Sequence, residues 1–211
     1  MRTDIRSIRP SKIVCVGTNY ADHAKELGMK APAEEPLIFM KPPSSIIYDG
    51  EDIIYPRGVT RLDFEAELAI VIKEKCRHID EAAASGYILG YTCLNDVTAR
   101  DLQSRDSQWT RSKSFDTFCP IGPWIETGID PARVKVESYL NGGLKQSSDT
   151  GNLIFPAAKL VSFISGIMTL LPGDIISTGT PYGVGPMSPG DEIEVRIEGI
   201  GSLKNRIAKE K

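Results

Sequence analysis

The pattern of apolar and polar positions changes character within one short stretch, Leu62 to Ile72 (LDFEAELAIVI). Its first part alternates. In a strand this sets Asp63, Glu65 and Glu67 on one face and Leu62, Phe64, Ala66 and Leu68 on the other. From Leu68 the alternation gives way to Leu-Ala-Ile-Val-Ile, the pattern of a strand covered on both sides. Carboxylates two residues apart on a half-buried strand repel one another and lose hydration, so they either form a solvated polar face or are compensated by a bound cation. The run into the core favours the cation. Hard oxygen donors, with no Cys or His at zinc spacing nearby, suit Mg²⁺, Mn²⁺ or Ca²⁺ rather than zinc or copper.

Further strands are predicted at Lys12 to Val16, Leu37 to Met40, Asp52 to Tyr55, Glu65 to Lys73 and Tyr87 to Leu94, separated by Gly, Pro and charged clusters. Asn141-Gly142-Gly143 between VKVESYL and LKQSSD signals a hairpin, because Asn and Gly tolerate the positive φ of a tight turn. A helix is predicted from about Pro156 to Leu170, with Leu160, Ile164, Ile167 and Leu171 on one stripe that covers a sheet. Pro-Gly-Asp occurs at Pro172 to Asp174 and again at Pro189 to Asp191, each time turning the chain into a strand. In the second, Glu192 to Glu198, residues Ile193, Val195 and Ile197 face inward. The polar, Pro-rich segment Gly28 to Pro36 is the candidate mobile loop. No linker or low-complexity tract divides the chain, so residues 1–211 are read as one β-rich domain.

At 211 residues, 41% hydrophobic and 25% charged, the chain can bury a substantial core. A formal charge of -3 gives no electrostatic reason to expect nucleic acid or an anionic membrane, which points to a small-molecule ligand. No apolar run approaches the roughly 20 residues needed to cross a bilayer, and MRTDIRSIRP carries charges where a signal peptide needs an apolar stretch, so a cytoplasmic protein is expected. Cys15, Cys76, Cys93 and Cys119 form no CxxC pair and read as buried free thiols.

Candidate chemistry lies in several segments. His23 and Glu26 fall three apart in NYADHAKELG, a short helix that Asn19 could cap and Gly28 would end, so both face the same way. A Glu beside a His fixes the imidazole tautomer and raises its basicity, as extraction of a proton from water requires; the plainer alternative is a surface pair. His78, in the polar turn KEKCRHIDE, has no such partner. Asp96, Arg100 and Gln103 lie on one stripe of a helix expected over NDVTARDLQ, with Asn95 or Asp96 as a simple N-cap in the structural alternative. Nothing local distinguishes Lys113 in TRSKSFDTF. TGTPYGVGP, Thr178 to Pro186, could offer backbone N–H groups to an anion, but it is neither GxGxxG nor a P-loop, and a structural turn is the simpler reading.

Six blocks in order, VGTNYADHAKELG, PLIFMKPPSSI, LDFEAELAIVI, GYTCLNDVTARDLQ, the segment around RSKSFD and LLPGDIISTGTPYGVG, resemble the fumarylacetoacetate hydrolase family, most closely its short acylpyruvase-like members. The resemblance implies a mixed β-sandwich roll with few peripheral helices, working as a homodimer. It implies a divalent ion, usually Mg²⁺ with Mn²⁺ as alternative and Ca²⁺ behind both, held by Glu65, Glu67 and Asp96, with Asp63 a neighbour. It further implies that His23 and Glu26 form a catalytic dyad on a lid of about residues 18–36, that Lys113 adds positive charge beside the metal, and that Lys41, Arg100, Gln103 and Thr180 shape the pocket or hold a substrate carboxylate. Relatives often carry a basic or bulkier residue where this chain has Thr18.

The implied activity is carbon–carbon hydrolysis of acylpyruvate-type 2,4-dioxo acids, releasing pyruvate through a metal-stabilised enolate, with oxaloacetate decarboxylation as a side activity. The same intermediate serves a 2-hydroxyhepta-2,4-diene-1,7-dioate-type isomerase or decarboxylase and an oxaloacetate decarboxylase or tautomerase. A second carboxylate, in those cases, would need basic residues such as Arg57, Arg61 or Arg105. From a different class, a Ca²⁺-dependent binding module without turnover and a purely structural, metal-indifferent protein remain as alternatives.

Overall fold

The computed structural model describes residues 1–210 except 27, 29, 31 and 33. The loop expected over Gly28 to Pro36 includes three of those four, which lie outside the described residues. The strands are β1 (Arg2–Asp4), β2 (Ile13–Gly17), β3 (Leu37–Lys41), β4 (Ile46–Tyr48), β5 (Ile53–Tyr55), β6 (Leu62–Phe64), β7 (Ala66–Ile72), β8 (Ile88–Asn95), β9 (Thr98–Ala99), β10 (Cys119–Glu126), β11 (Lys135–Leu140), β12 (Gly143–Asp149), β13 (Ile175–Ser177), β14 (Gly185–Met187), β15 (Glu192–Ile197) and β16 (Gly201–Lys209). The helices are α1 (Ala21–Glu26), α2 (Arg100–Arg105), α3 (Thr110–Lys113) and α4 (Ala157–Ile167).

Three sheets result. The largest runs β1-β10-β8-β7-β13-β2-β3, with β4 also paired to β10; a second runs β12-β11-β15-β16-β5; a small third runs β14-β6-β9. Both faces of the central strands are covered. Leu68, Ile70 and Ile72 pack with Val136, Val195 and Ile197 of the second sheet and with α4, while Ala69 and Val71 pack with Ile13, Cys119 and Ile175 on the other side. This double cover is why the run after Leu68 is continuously apolar.

Local signals placed most elements. Asn141 (φ 51°) and Gly142 (φ 78°) are both left-handed, which gives β11 and β12 the turn whose twist matches paired strands. The two Pro-Gly-Asp turns share one mechanism. Asp174 donates its N–H to the Leu171 carbonyl and accepts the Leu171 N–H on Oδ2 (2.8 Å), and Asp191 does the same with Ser188 (2.7 Å). Helix α4 buries Ala157, Leu160, Val161 and Ile164 against the large sheet. The expected stripe extends too far: the backbone becomes extended at Met168, so Ile167 (49% exposed) ends the helix and Leu171 (38%) lies beyond it. All four cysteines are buried and free. Among the described residues no helix is long and apolar enough to cross a membrane.

Candidate metal and catalytic site

Two adjacent antiparallel strands leave the large sheet at the same level. Between β6 and β7 stands Glu65; between β8 and β9 stand Asp96 and Val97, and the Asp96 N–H donates to the Glu65 carbonyl at 2.9 Å. On the far side of this break the chain joins the small sheet, β6 pairing with β9 and β14. The Glu65 N–H, freed from the ladder, donates to Asn95 Oδ1 (3.0 Å). The strand expected from Glu65 to Lys73 is β7, but the longer run Leu62 to Ile72 is divided at Glu65 into β6 and β7, and Asp96 neither opens nor caps a helix. Helix α2 begins only at Arg100, because Thr98 and Ala99 pair with Asp63 and Leu62.

The solvated-face alternative for the three acids fails, since Asp63, Glu65 and Glu67 are 0, 5 and 1% exposed. Their fates differ. Asp63 accepts two bonds from Arg61 (2.8 and 3.0 Å) and one from Arg100 Nε (2.9 Å), which leaves it a neighbour of the cluster. Glu65, Glu67 and Asp96 each turn an oxygen to a common point, all within 4.8 Å of one another. Arg100 spreads its fork over three partners: Nε to Asp63, Nη2 to Glu65 Oε1 (2.6 Å) and Nη1 to Gln103 Oε1 (2.6 Å). Lys113, buried at the end of α3, donates to Glu65 Oε2 (2.9 Å) and Asp96 Oδ2 (2.7 Å).

Charge states follow from these contacts. Burial alone would raise the Glu65 carboxyl, but the Lys113 and Arg100 cations outweigh it and hold the group well below the usual carboxylate range. Glu67 goes the other way. Burial, then the Asp96 and Glu65 charges, push its carboxyl far up, although Ser177 Oγ (2.5 Å) and the Gly179 N–H (2.7 Å) both donate to its Oε2. Lys113 is desolvated, yet Asp96 and Glu65 raise it above the ordinary lysine value and keep it charged. The donor set fits a hard divalent cation: three carboxylates and no soft ligand, with Asp96 Oδ1 accepting no hydrogen bond.

That last oxygen explains Lys41. Its ammonium lies 2.7 Å from Asp96 Oδ1, but its three hydrogens go to the carbonyls of Val97 (3.0 Å), Lys113 (2.8 Å) and Phe118 (2.8 Å), so the contact with Asp96 is one of charge alone. Lys41 is 1% exposed and does not line the cleft. The expectation that it holds a substrate carboxylate is corrected: it supports Asp96 from behind.

The dyad assembles as the spacing suggested, though not on the surface. His23 is 3% exposed and its Nδ1 lies 2.9 Å from Glu26 Oε2, a contact in which the ring donates from Nδ1 to the carboxylate. Glu26 is itself anchored, its Oε1 accepting the Gly183 N–H at 3.1 Å. TGTPYGVGP thus does offer N–H groups, and what accepts them are the protein's own carboxyl groups, Glu67 and Glu26. Asn19 does not cap α1. Its side chain bonds the Phe155 N–H (2.8 Å) and the carbonyls of Phe155 (3.0 Å) and Thr178 (2.7 Å), tying the root of α1 to the α4 and Thr178 segments. His78 stays apart, exposed on its turn.

His23, Glu65, Glu67, Asp96, Arg100, Gln103, Lys113 and Thr180 line one cleft. Thr180 is fixed there by bonds to the Ala66 carbonyl (3.0 Å) and from Gln146 Nε2 (2.8 Å). Sequence reasoning missed Phe39 and Trp109, which meet edge to face (5.2 Å, 75°) in the wall, along with Ser177, Asn95 and Gln146. None carries a local signal, because each acts on a residue at least 30 positions away.

The family model for the fumarylacetoacetate (FAA) hydrolase C-terminal domain matches residues 12–208. The chain belongs to the fumarylacetoacetate hydrolase family. Its strand-rich architecture with few helices is that of other family members. A 5-carboxymethyl-2-hydroxymuconate delta-isomerase from Mycobacterium smegmatis superposes with TM-score 0.91 at 48% identity, over 97% of this chain and 81% of its own. A fumarylpyruvate hydrolase from Pseudomonas aeruginosa, solved with Mn²⁺ and pyruvate, gives 0.93 at 31% identity, over 100% and 96%. A mitochondrial oxaloacetate tautomerase of Bos taurus is 41% identical over 93% of this chain and 91% of its own length. These fumarylacetoacetate hydrolase relatives are enzymes of different reaction types.

Proposed function

We propose that the protein is a divalent-metal-dependent hydrolase that cleaves a carbon–carbon bond in acylpyruvate-type 2,4-dioxo acids. The observation that supports this reading is a buried, oriented His23–Glu26 pair facing the same cleft as the acid triad and Lys113. An ion on Glu65, Glu67 and Asp96, Mg²⁺ or Mn²⁺, supplies Lewis-acid charge for the 2-oxo acid head. His23 Nε2 takes a proton from water while Glu26 holds the ring, and the water oxygen bonds to the C4 carbonyl carbon. The C3–C4 bond breaks, its electron pair passing to C3 and the 2-oxo oxygen, and a proton then added at C3 completes pyruvate. Lys113 is already fixed and charged nearby, so its stabilisation grows as negative charge develops, which favours the transition state over the substrate. Thr180, Gln103 and Arg100 line the same space and orient the substrate. The working unit is a homodimer.

A second reading rests on the relatives, which include an isomerase and a tautomerase. Losing carbon dioxide needs no water-activating base, whereas moving a proton still needs a base, so His23 separates hydrolysis from decarboxylation and the products formed separate it from isomerisation. Acetylpyruvate, oxaloacetate and a 2-hydroxydienedioate are assayed with Mg²⁺, Mn²⁺ and Ca²⁺, for wild type and His23→Ala. The hydrolase reading expects cleavage of acetylpyruvate, silenced by chelator and lowered about 100-fold or more in His23→Ala. Wild type inert towards acetylpyruvate, or a variant that cleaves it normally, would overturn it. Ligand saturation without product, best with Ca²⁺, would indicate the binding module.

A further inference from the structure

Three carbonyls converge on one point behind the acid triad. They belong to Val97, in the link between β8 and β9, to Lys113, the last residue of α3, and to Phe118, just before β10. Each stands where a regular element begins or ends, and a buried carbonyl there needs a donor from elsewhere. Lys41 Nζ is that donor, 3.0, 2.8 and 2.8 Å from the three, with Asp96 Oδ1 a further 2.7 Å contact. The side chain has no exposed surface and Asp96 keeps 1%. A water in this place would have two hydrogens for three carbonyls and no charge for Asp96. A primary ammonium meets both demands.

This pocket of oxygens ties together two groups of the site. Lys113 is held by its carbonyl on Lys41 and by its own ammonium on Glu65 Oε2 (2.9 Å) and Asp96 Oδ2 (2.7 Å). Asp96 lies between the two ammoniums, one at each oxygen. One nitrogen therefore sets the place of a triad member and of the cation beside it. The Lys41 stem only delivers that nitrogen: it comes from the end of β3, whereas all four oxygens come from residues 96 to 118.

Resting on the divalent-metal reading of the triad above, we propose that Lys41 is a positioning residue for the metal centre and that its head group fills a primary-ammonium site, which a free alkylammonium occupies when the side chain is cut back. Lys41→Ala keeps Cβ and removes the remaining methylenes and the nitrogen, which together are n-propylammonium. Lys41→Met refills the stem and lacks the nitrogen, so it leaves that molecule no room. Calorimetric Mn²⁺ affinity and melting temperature are measured for wild type and both variants in n-propylammonium chloride and in tetramethylammonium chloride, which has the same charge and no N–H. In tetramethylammonium both variants are expected to bind Mn²⁺ about 10- to 100-fold more weakly than wild type. Propylammonium is expected to recover about tenfold or more of that loss in Lys41→Ala and none in Lys41→Met. Equal recovery in both variants, recovery in neither, or Lys41→Ala that stays unfolded in both salts would overturn the ammonium site. Folded Lys41→Ala that matches wild-type Mn²⁺ affinity without propylammonium would overturn the positioning role. Wild type that binds no Mn²⁺ in either salt would instead overturn the metal reading, and the positioning role with it.

Discussion

At the scale of single residues, the site is a set of buried charges that hold one another in place. Lys41 shows how far a residue can act without touching the cleft: it closes three carbonyls and lies against the one oxygen of Asp96 that accepts no hydrogen bond. Lys41→Met should cost about 3–5 kcal/mol of stability, because it removes one of the two cations against the buried Asp96 carboxylate and leaves three buried carbonyls without a donor. Denaturant titration checks the loss, and weaker Mn²⁺ binding by the folded fraction checks that Asp96 has moved. The acids were legible from their period-two spacing in an apolar run, since burial of like charges demands an explanation. Their partners were not. A lysine among twenty-five basic residues gains its meaning only from the fold.

Among elements, the glycine-rich segment after β13 joins the two halves of the site, binding Glu67 through Gly179 and Glu26 through Gly183. Gly183 has φ 102°, and a Cβ there would lie 2.4 Å from the Lys145 carbonyl. Gly183→Ala is expected to shift this loop at a cost of about 1–3 kcal/mol and to release Glu26. Turnover should fall while Mn²⁺ affinity, which depends on Glu67 and not on Glu26, changes far less; comparing kcat with calorimetric Mn²⁺ binding tests the split. Elements governed by local chemistry could be read in advance: the Asn141-Gly142 hairpin, the Pro-Gly-Asp turns, the apolar face of α4. The interruption at Glu65 could not. It is set by β14, more than a hundred residues later in the chain, and nothing in LDFEAEL announces that its first three residues belong to another sheet.

For the molecule as a whole, chain-distant anchors decide how stability responds to acid. Asp174 has no exposed side-chain surface and ties β13 to the segment before β2 through Ser11 and Lys12. Burial alone would raise its carboxyl, but Lys12, the Leu171 N–H and Ser11 together hold it below the usual carboxylate range. A carboxyl depressed in the folded state stabilises fully above its unfolded value and loses that contribution as pH falls through the lower folded value. Wild type should therefore lose melting temperature on acidification more steeply than Asp174→Asn, which begins lower near neutrality; a series of melts from neutral to acid pH measures both limbs. The paired breaks at Glu65 and Asp96 carry a last consequence. An ion resting there clasps the seam between two sheets, so amides of β9 and β14 should take up deuterium more slowly in Mn²⁺ than in chelator, and that protection would register loading with no substrate present.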